Sequence, residues 1–186
     1  MKIDKKYRLW TFQSIRSIKE LKNKGIIEAS WDRYSETFPF IKSYEWMVKQ
    51  MVIRKISCNN NAPIWAWHSC GKYENAPRLV DARCLLSDIE LKDGIQTIEL
   101  ECPVELALLS NYGIWNKMLD KFISYKDEAK IDKKTEDMLF EIGRKKLRAC
   151  DSIQATLPYL KLAWVKEIRE LNLKPNDFSY NPEEEI

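Results

Sequence analysis

The chain is short of several things, and each shortage narrows what it can do. Among its 186 residues there is a single histidine, His68, too few for a His-rich zinc or iron site. HExxH is absent, so the helical zinc motif of metalloproteases is not signalled. Neither GxGxxG nor GxxxxGK[ST] occurs, which removes the sequence signals of dinucleotide-binding and P-loop folds. No GxSxG elbow marks a serine hydrolase. Glycine is scarce at 5 and proline modest at 7, so most of the chain is expected to be ordered. No apolar run approaches the roughly 20 residues of a membrane span. The start, MKIDKKYRLW, lacks the apolar stretch of a secretory leader. Five cysteines, at 58, 70, 84, 102 and 150, include no CxxC pair. Their odd number suits reduced thiols and a cytoplasmic location.

What is present suits one core. The chain is 45% hydrophobic and 32% charged, enough for a single globular domain with a sizeable interior. A net charge of +3 neither demands nor excludes a nucleic-acid partner. The densest basic cluster, Arg144-Lys145-Lys146-Leu147-Arg148, lies in a helical pattern that also carries acids, and reads as a solvated helix face.

RLWTFQ (8–13) has the aromatic and β-branched content of a strand. A helix follows, with Ser14 as N-cap and Gly25 as its stop. Phe40, Ile41, Tyr44, Met47, Val48, Met51 and Val52 form an i, i+3, i+4, i+7 stripe. That predicts a helix over 39–55 with Met47, Val48 and Met51 buried and Lys49, Gln50 and Arg54 exposed. SCNNNAP (57–63) is a loop and IWAWHS a strand; LVDARCLL reads as a strand or an irregular crossing. In GIQTIELECP (94–103) the alternation turns Ile98, Leu100 and Cys102 to the core. ELALLS (105–110) extends the sheet, NYGIWNKMLDKFIS is an amphipathic helix and 132–149 another. SIQATLPYL (152–160) is a strand, and WVKEIREL (164–171) a strand or short helix. The order is not strictly βαβ. The expected fold is α+β: one domain over 1–173 with a mixed or antiparallel sheet and amphipathic helices, and an acidic tail over 174–186.

The chemistry on display is aromatic and amide chemistry carried on strands. Two of the seven tryptophans and the histidine fall within APIWAWHSCGKYENAPR (62–78). Alternation puts Trp65 and Trp67 on one face of their strand and Ile64, Ala66 and His68 on the other. The two indoles are expected to line the main cleft, with His68 of structural use. Trp10 shares a face with Phe12, Thr11 with Gln13, and Gln154 with Thr156. Inward Gln and Thr must bond either the fold or a ligand. His68 and Cys70 with Cys84 or Cys102 would suit zinc chemically, but the spacing matches no zinc module, and buried inert thiols are the better reading.

LWTFQ, YEWMVKQM, PIWAW, LECPVELALLSNYGIWNKML and SIQATLPYL, in this order, resemble a bacterial family known as domain of unknown function 3841, over most of residues 9 to 172. The resemblance brings a family without an established activity. Asn116 stands where that family often has histidine. Two remoter likenesses suggest functions. The placing of LWTFQ and SIQATL is similar to that of the first and last strands of ADP-ribosyltransferases, although no His or Arg adjoins the aromatic. That likeness implies NAD as cofactor, Gln154 orienting the sugar, Thr11 or Gln13 the carboxamide, and Trp10 or Trp65 stacking. NKGIIEASWDR carries Gly25, Glu28 and Arg33 somewhat as ASCH/PUA-like RNA-binding domains do, without their lysine. The expectation is therefore a pocket for a nucleotide or an RNA base, lined by Trp10, Thr11, Gln13, Tyr44, Trp65, Trp67, Arg83, Trp115, Gln154 and Thr156. A non-enzymatic protein-interaction domain is the alternative.

Overall fold

The computed structural model describes residues 5–34, 38–125, 130–142 and 152–171. Its first strand, β1 (Lys6–Ser14), stands near the centre of the sheet. The sheet has six strands in the order β5-β6-β3-β1-β4-β8, every pair antiparallel. The others are β3 (Ile64–Ser69), β4 (Ile95–Pro103), β5 (Leu108–Asn111), β6 (Ile153–Leu157) and β8 (Val165–Glu170). β2 (Ile26–Ile27) and β7 (Leu160–Lys161) form a second, two-stranded sheet. Pro158 ends β6, and the chain crosses to that second sheet; the expected strand over 152–160 is thus two strands. The fold is α+β, and its sheet is antiparallel throughout.

One face of the main sheet is aliphatic. Leu9, Ile64, Ala66, Ile98, Leu100, Cys102, Ala155 and Leu157 pack there against Ile18 and Leu21 of α1 (Ile15–Lys24), Ile27 and Leu160. Burying each leucine or isoleucine side chain there stabilises the fold by about 1.5–3 kcal/mol. The cap and stop of α1 are those expected: Ser14 Oγ accepts from the Ser17 amide, and Gly25 takes the left-handed φ of 74°. Ile98, Leu100 and Cys102 are fully buried, also as expected. Thr97 and Glu99, on the opposite face of β4, are buried too. Glu99 is enclosed because Arg8 Nε (2.7 Å), Trp10 Nε1 (3.1 Å) and Arg169 Nη2 (3.1 Å) all donate to it.

The other face is aromatic. Trp10 and Trp67, paired across β1 and β3, cluster with Cys70 and are flanked by Phe12 and Tyr112. Next to them lie α2 (Ile41–Ile53), α5 (Tyr112–Tyr125) and α6 (Lys133–Phe140), which pack Met47, Met51, Trp115, Met118, Phe122 and Leu139 together. Met47 and Met51 are sealed, but the buried arc of α2 differs from the expected one. Gln50 is buried, Val48 and Arg54 are half-buried, and Val52 is exposed. Polar partners explain the shift. Gln50 Oε1 accepts from Arg54 Nη1 at 2.6 Å, while the Arg54 guanidinium stacks on Phe140, 4.0 Å from its ring centre, and pairs with Glu136. The satisfied polar arc can therefore turn inward toward α6.

LVDARCLL is helical rather than extended. It forms α3 (Leu79–Arg83), whose first turn is fixed by the Arg78 amide donating to Asp81 Oδ2 at 2.7 Å, and α4 (Asp88–Lys92) follows. Residues 164–171 resolve to a short 3₁₀ turn and strand β8. Of the helix expected over 132–149, Lys133–Phe140 is helical and Glu141 leaves helical geometry at ψ 75°. Residues 143–149, Cys150 and the tail from 174 lie outside the described residues. No helix among the described residues is long and apolar enough to cross a membrane.

Candidate functional site

The register between β1 and β3 consists of the single Cα pair Trp10–Trp67. Beyond it a side chain takes over: Thr11 Oγ1 donates to the Trp65 carbonyl at 2.7 Å, and Gln13 Nε2 in turn donates to Thr11 Oγ1 at 2.9 Å. Where the ladder stops, a cleft of about 600 Å³ opens, a volume typical of small-molecule sites. Its lining comes from both faces of the sheet at that seam, Gln13 and Ile64 from one, Phe12, Trp65, Trp67 and Gln154 from the other.

The walls are aromatic. Trp65 packs on Tyr44 of α2 (centroids 5.1 Å) and Trp115 of α5 (5.2 Å), and Trp67 meets Tyr112 edge-on at 4.8 Å. Tyr34, Phe38 and Phe40 bring a third aromatic group, with Tyr34 and Phe38 both against Tyr44. Cys84, Leu85 and Leu86, between α3 and α4, form a further border. Asn116 and Leu119 of α5 complete that side. Side chains charged at neutral pH are few: Glu28 and Glu90 against Arg33, whose guanidinium already lies 3.6 Å from Glu20. Glu90 is held by Ser87, whose amide donates to Glu90 Oε2 at 2.9 Å. Burial pushes the Tyr44 hydroxyl well above the ordinary phenol range, so it stays protonated.

Two residues of the lining, Trp65 and Gln154, carry the most informative atoms, and Ser110 lies behind them in the sheet, outside the lining. Trp65 Nε1 and Gln154 Nε2 are buried and have no hydrogen-bond partner among the described residues, and Ser110 Oγ, in register opposite Gln154, is in the same condition. Buried polar groups without partners are rare enough to need an explanation.

Of the ten side chains singled out from the sequence, six line the cleft: Gln13, Tyr44, Trp65, Trp67, Trp115 and Gln154. The other four do not. Trp10 is sealed and spends its indole N–H on Glu99. Thr11 is sealed and bonded to Trp65. Thr156 is sealed, with Oγ1 3.3 Å from the Leu108 carbonyl. Arg83 is exposed at the end of α3. Tyr34, Phe38 and Tyr112 carried no signal in the sequence, and Phe40 was legible only as part of a helix stripe. Glu90 went unnoticed, although Ser87-x-x-Glu90 is a capping-box signal.

His68 and the buried thiols stand apart from this lining. His68 is buried on the opposite face to Trp67, with Nδ1 2.8 Å from Ser69 Oγ and the rings of Tyr7 and Tyr73 edge-on beside it. Burial holds it below the ordinary imidazole range. Burial likewise raises Cys58 to about 11 and Cys70 and Cys102 to about 12, so all three are thiols rather than thiolates. Among the described residues no three or more His, Cys, Asp or Glu side chains are grouped to hold a metal ion.

No curated protein and no solved structure matches the chain. The family model for a domain of unknown function, DUF3841, matches residues 8–169, nearly all of the sheet and its helices, and the chain belongs to that family.

Proposed function

We propose that the cleft binds the planar ring of a nucleotide or nucleoside. The observation that carries this reading is the seam itself, where strand pairing breaks and half-buried Trp65 and the edge of buried Trp67 line the cleft beside Tyr44, Tyr112 and Trp115. Indole and phenol surfaces that line a cleft suit stacking on a heterocycle. The charge of the lining favours a neutral or cationic ring over a phosphate chain, because two carboxylates face one guanidinium that is already paired. NAD fits this class through its nicotinamide, and ADP-ribosyl transfer is the chemistry that would follow from NAD. In that case Gln13, Asn116 and Gln154 are the amides that the lining offers to the ligand, since Thr11 is spent on Trp65.

A thermal-shift series tests the reading, because any ligand of the folded state raises its apparent stability. Nucleosides, nicotinamide, NAD and short single-stranded RNA are compared at low and high salt. A salt-insensitive shift with free rings supports the ring-binding cleft. Stabilisation by RNA alone, fading steeply with salt, points instead to phosphate-driven binding. No shift with any of them leaves the cleft without this role.

A further inference from the structure

We propose that the bound ring presents an exocyclic carbonyl oxygen to Trp65 and Gln154, so that the site takes oxo-bearing rings and rejects counterparts without that oxygen. This rests on the ring-binding reading and makes it more specific. β3 and β6 pair Trp65 with Thr156 and Trp67 with Gln154. Trp65 and Gln154 are therefore diagonal neighbours on one face of adjacent strands, close enough for long side chains to converge. Both line the cleft, and Trp65 Nε1 and Gln154 Nε2 are both buried without a partner. Gln154 is only 5% exposed. An indole N–H donates and never accepts, so whatever satisfies Trp65 must be an acceptor. A carbonyl oxygen, with two lone pairs, can accept from an indole and an amide together.

Two nearby hydroxyls of the fold are already committed. Thr156, directly across from Trp65, turns its hydroxyl toward the Leu108 carbonyl, and Thr11 holds the Trp65 carbonyl rather than its ring nitrogen. Ser110, across from Gln154, makes no bond to it. An enclosed water is the competing occupant. Water both donates and accepts, so it would leave the cleft indifferent to the ligand's oxygen.

The experiment titrates the full chain with matched pairs, inosine against adenosine and nicotinamide against 3-methylpyridine, following tryptophan fluorescence and confirming by calorimetry. In at least one pair the oxo member binds on the order of ten-fold more tightly or better, because a site built to donate to an oxygen is left unpaired by an analogue without one. Trp65→Phe keeps the ring wall without the N–H, and Gln154→Leu keeps the volume without the amide. Each narrows the preference to within about three-fold, with melting of each variant measured in parallel. Equal binding of both members overturns the inference and leaves the ring-binding cleft standing. So does a preference that survives in both variants. Failure of every ring to bind removes the inference and the reading beneath it.

Discussion

Thr11 Oγ1 lies 2.7 Å from the main-chain oxygen of Trp65, so a threonine hydroxyl does at this point what a strand amide does elsewhere in the sheet. Replacing it with the near-isosteric valine leaves a buried carbonyl and the Gln13 amide without their shared partner. Thr11→Val is expected to lower the unfolding free energy by about 1–3 kcal/mol. Denaturant titration reads this directly. If the seam shapes the cleft, the same variant weakens ring binding although residue 11 does not line it.

The two indoles of β3 separate in their roles. Trp67 is 6% exposed and packed on Trp10 and Cys70, so Trp67→Ala is expected to cost about 3–5 kcal/mol, the range for large buried side chains. Trp65 is only half-buried, and Trp65→Phe should leave the denaturation midpoint much closer to that of the parent. A Trp67→Ala protein as stable as the parent would contradict this packing.

Acid should weaken the fold through Glu99. The Arg8 hydrogen bond, with lesser help from Trp10 and Arg169, holds its carboxyl below the usual carboxylate range. Its folded pKa is thus lower than its unfolded value of about 4.3. The contribution is present above the unfolded pKa and is lost as pH falls through the folded one. His68, held low by burial, acts in the same direction at higher pH. It is neutral in the fold, so stability declines as pH drops below the unfolded value of about 6.5. Unfolding free energies measured between pH 7 and pH 3 should fall in two stages. Glu99→Gln should flatten only the more acidic one.

Among the described cysteines, Cys84 is exposed and borders the cleft, whereas Cys58, Cys70 and Cys102 are buried with raised pKa values. Brief treatment of the native protein with iodoacetamide at neutral pH should label Cys84 before those three. Peptide mass spectrometry reports the order, and a ring bound in the cleft should slow the labelling. Early modification of Cys70 or Cys102 would mean that the sheet opens more readily than its packing implies.

Long periodic segments were legible in the sequence. The stripe around Met47 and Met51, the Ser14 and Gly25 caps and the alternation of Ile98, Leu100 and Cys102 each repeat a local rule enough times to be read. α3 and α4, five residues each, are too short to display a period, and only Asp81 in one and Ser87, Asp88 and Glu90 in the other signal a helix start. Alternation separates Glu99 from core-facing Ile98 and Leu100, but its burial was not legible, because the residues that cover it, Arg8 and Arg169, are 91 and 70 positions away. The site was half-legible for a related reason. Strand alternation put Phe12 and Gln13 on opposite faces, and it does so in the fold. What no local pattern could show is that pairing between β1 and β3 lapses beyond Trp10–Trp67, which lets both faces reach one cleft. Gln154 was recognised as an inward amide. That its Nε2 has no partner among the described residues depends on β3 and β5, far away in the chain, flanking it.

The cleft is bordered by stretches from Phe12 to Gln154, drawn from β1, the segment before α2, β3, the α3–α4 region, α5 and β6. A molecule held there touches nearly every layer of the protein at once, like a bolt through stacked plates. No single stretch can peel away while it stays seated. Amide hydrogens of β1 and β6, distant in the chain, should therefore slow their exchange together when the cleft is filled, which makes occupancy readable far from the ligand.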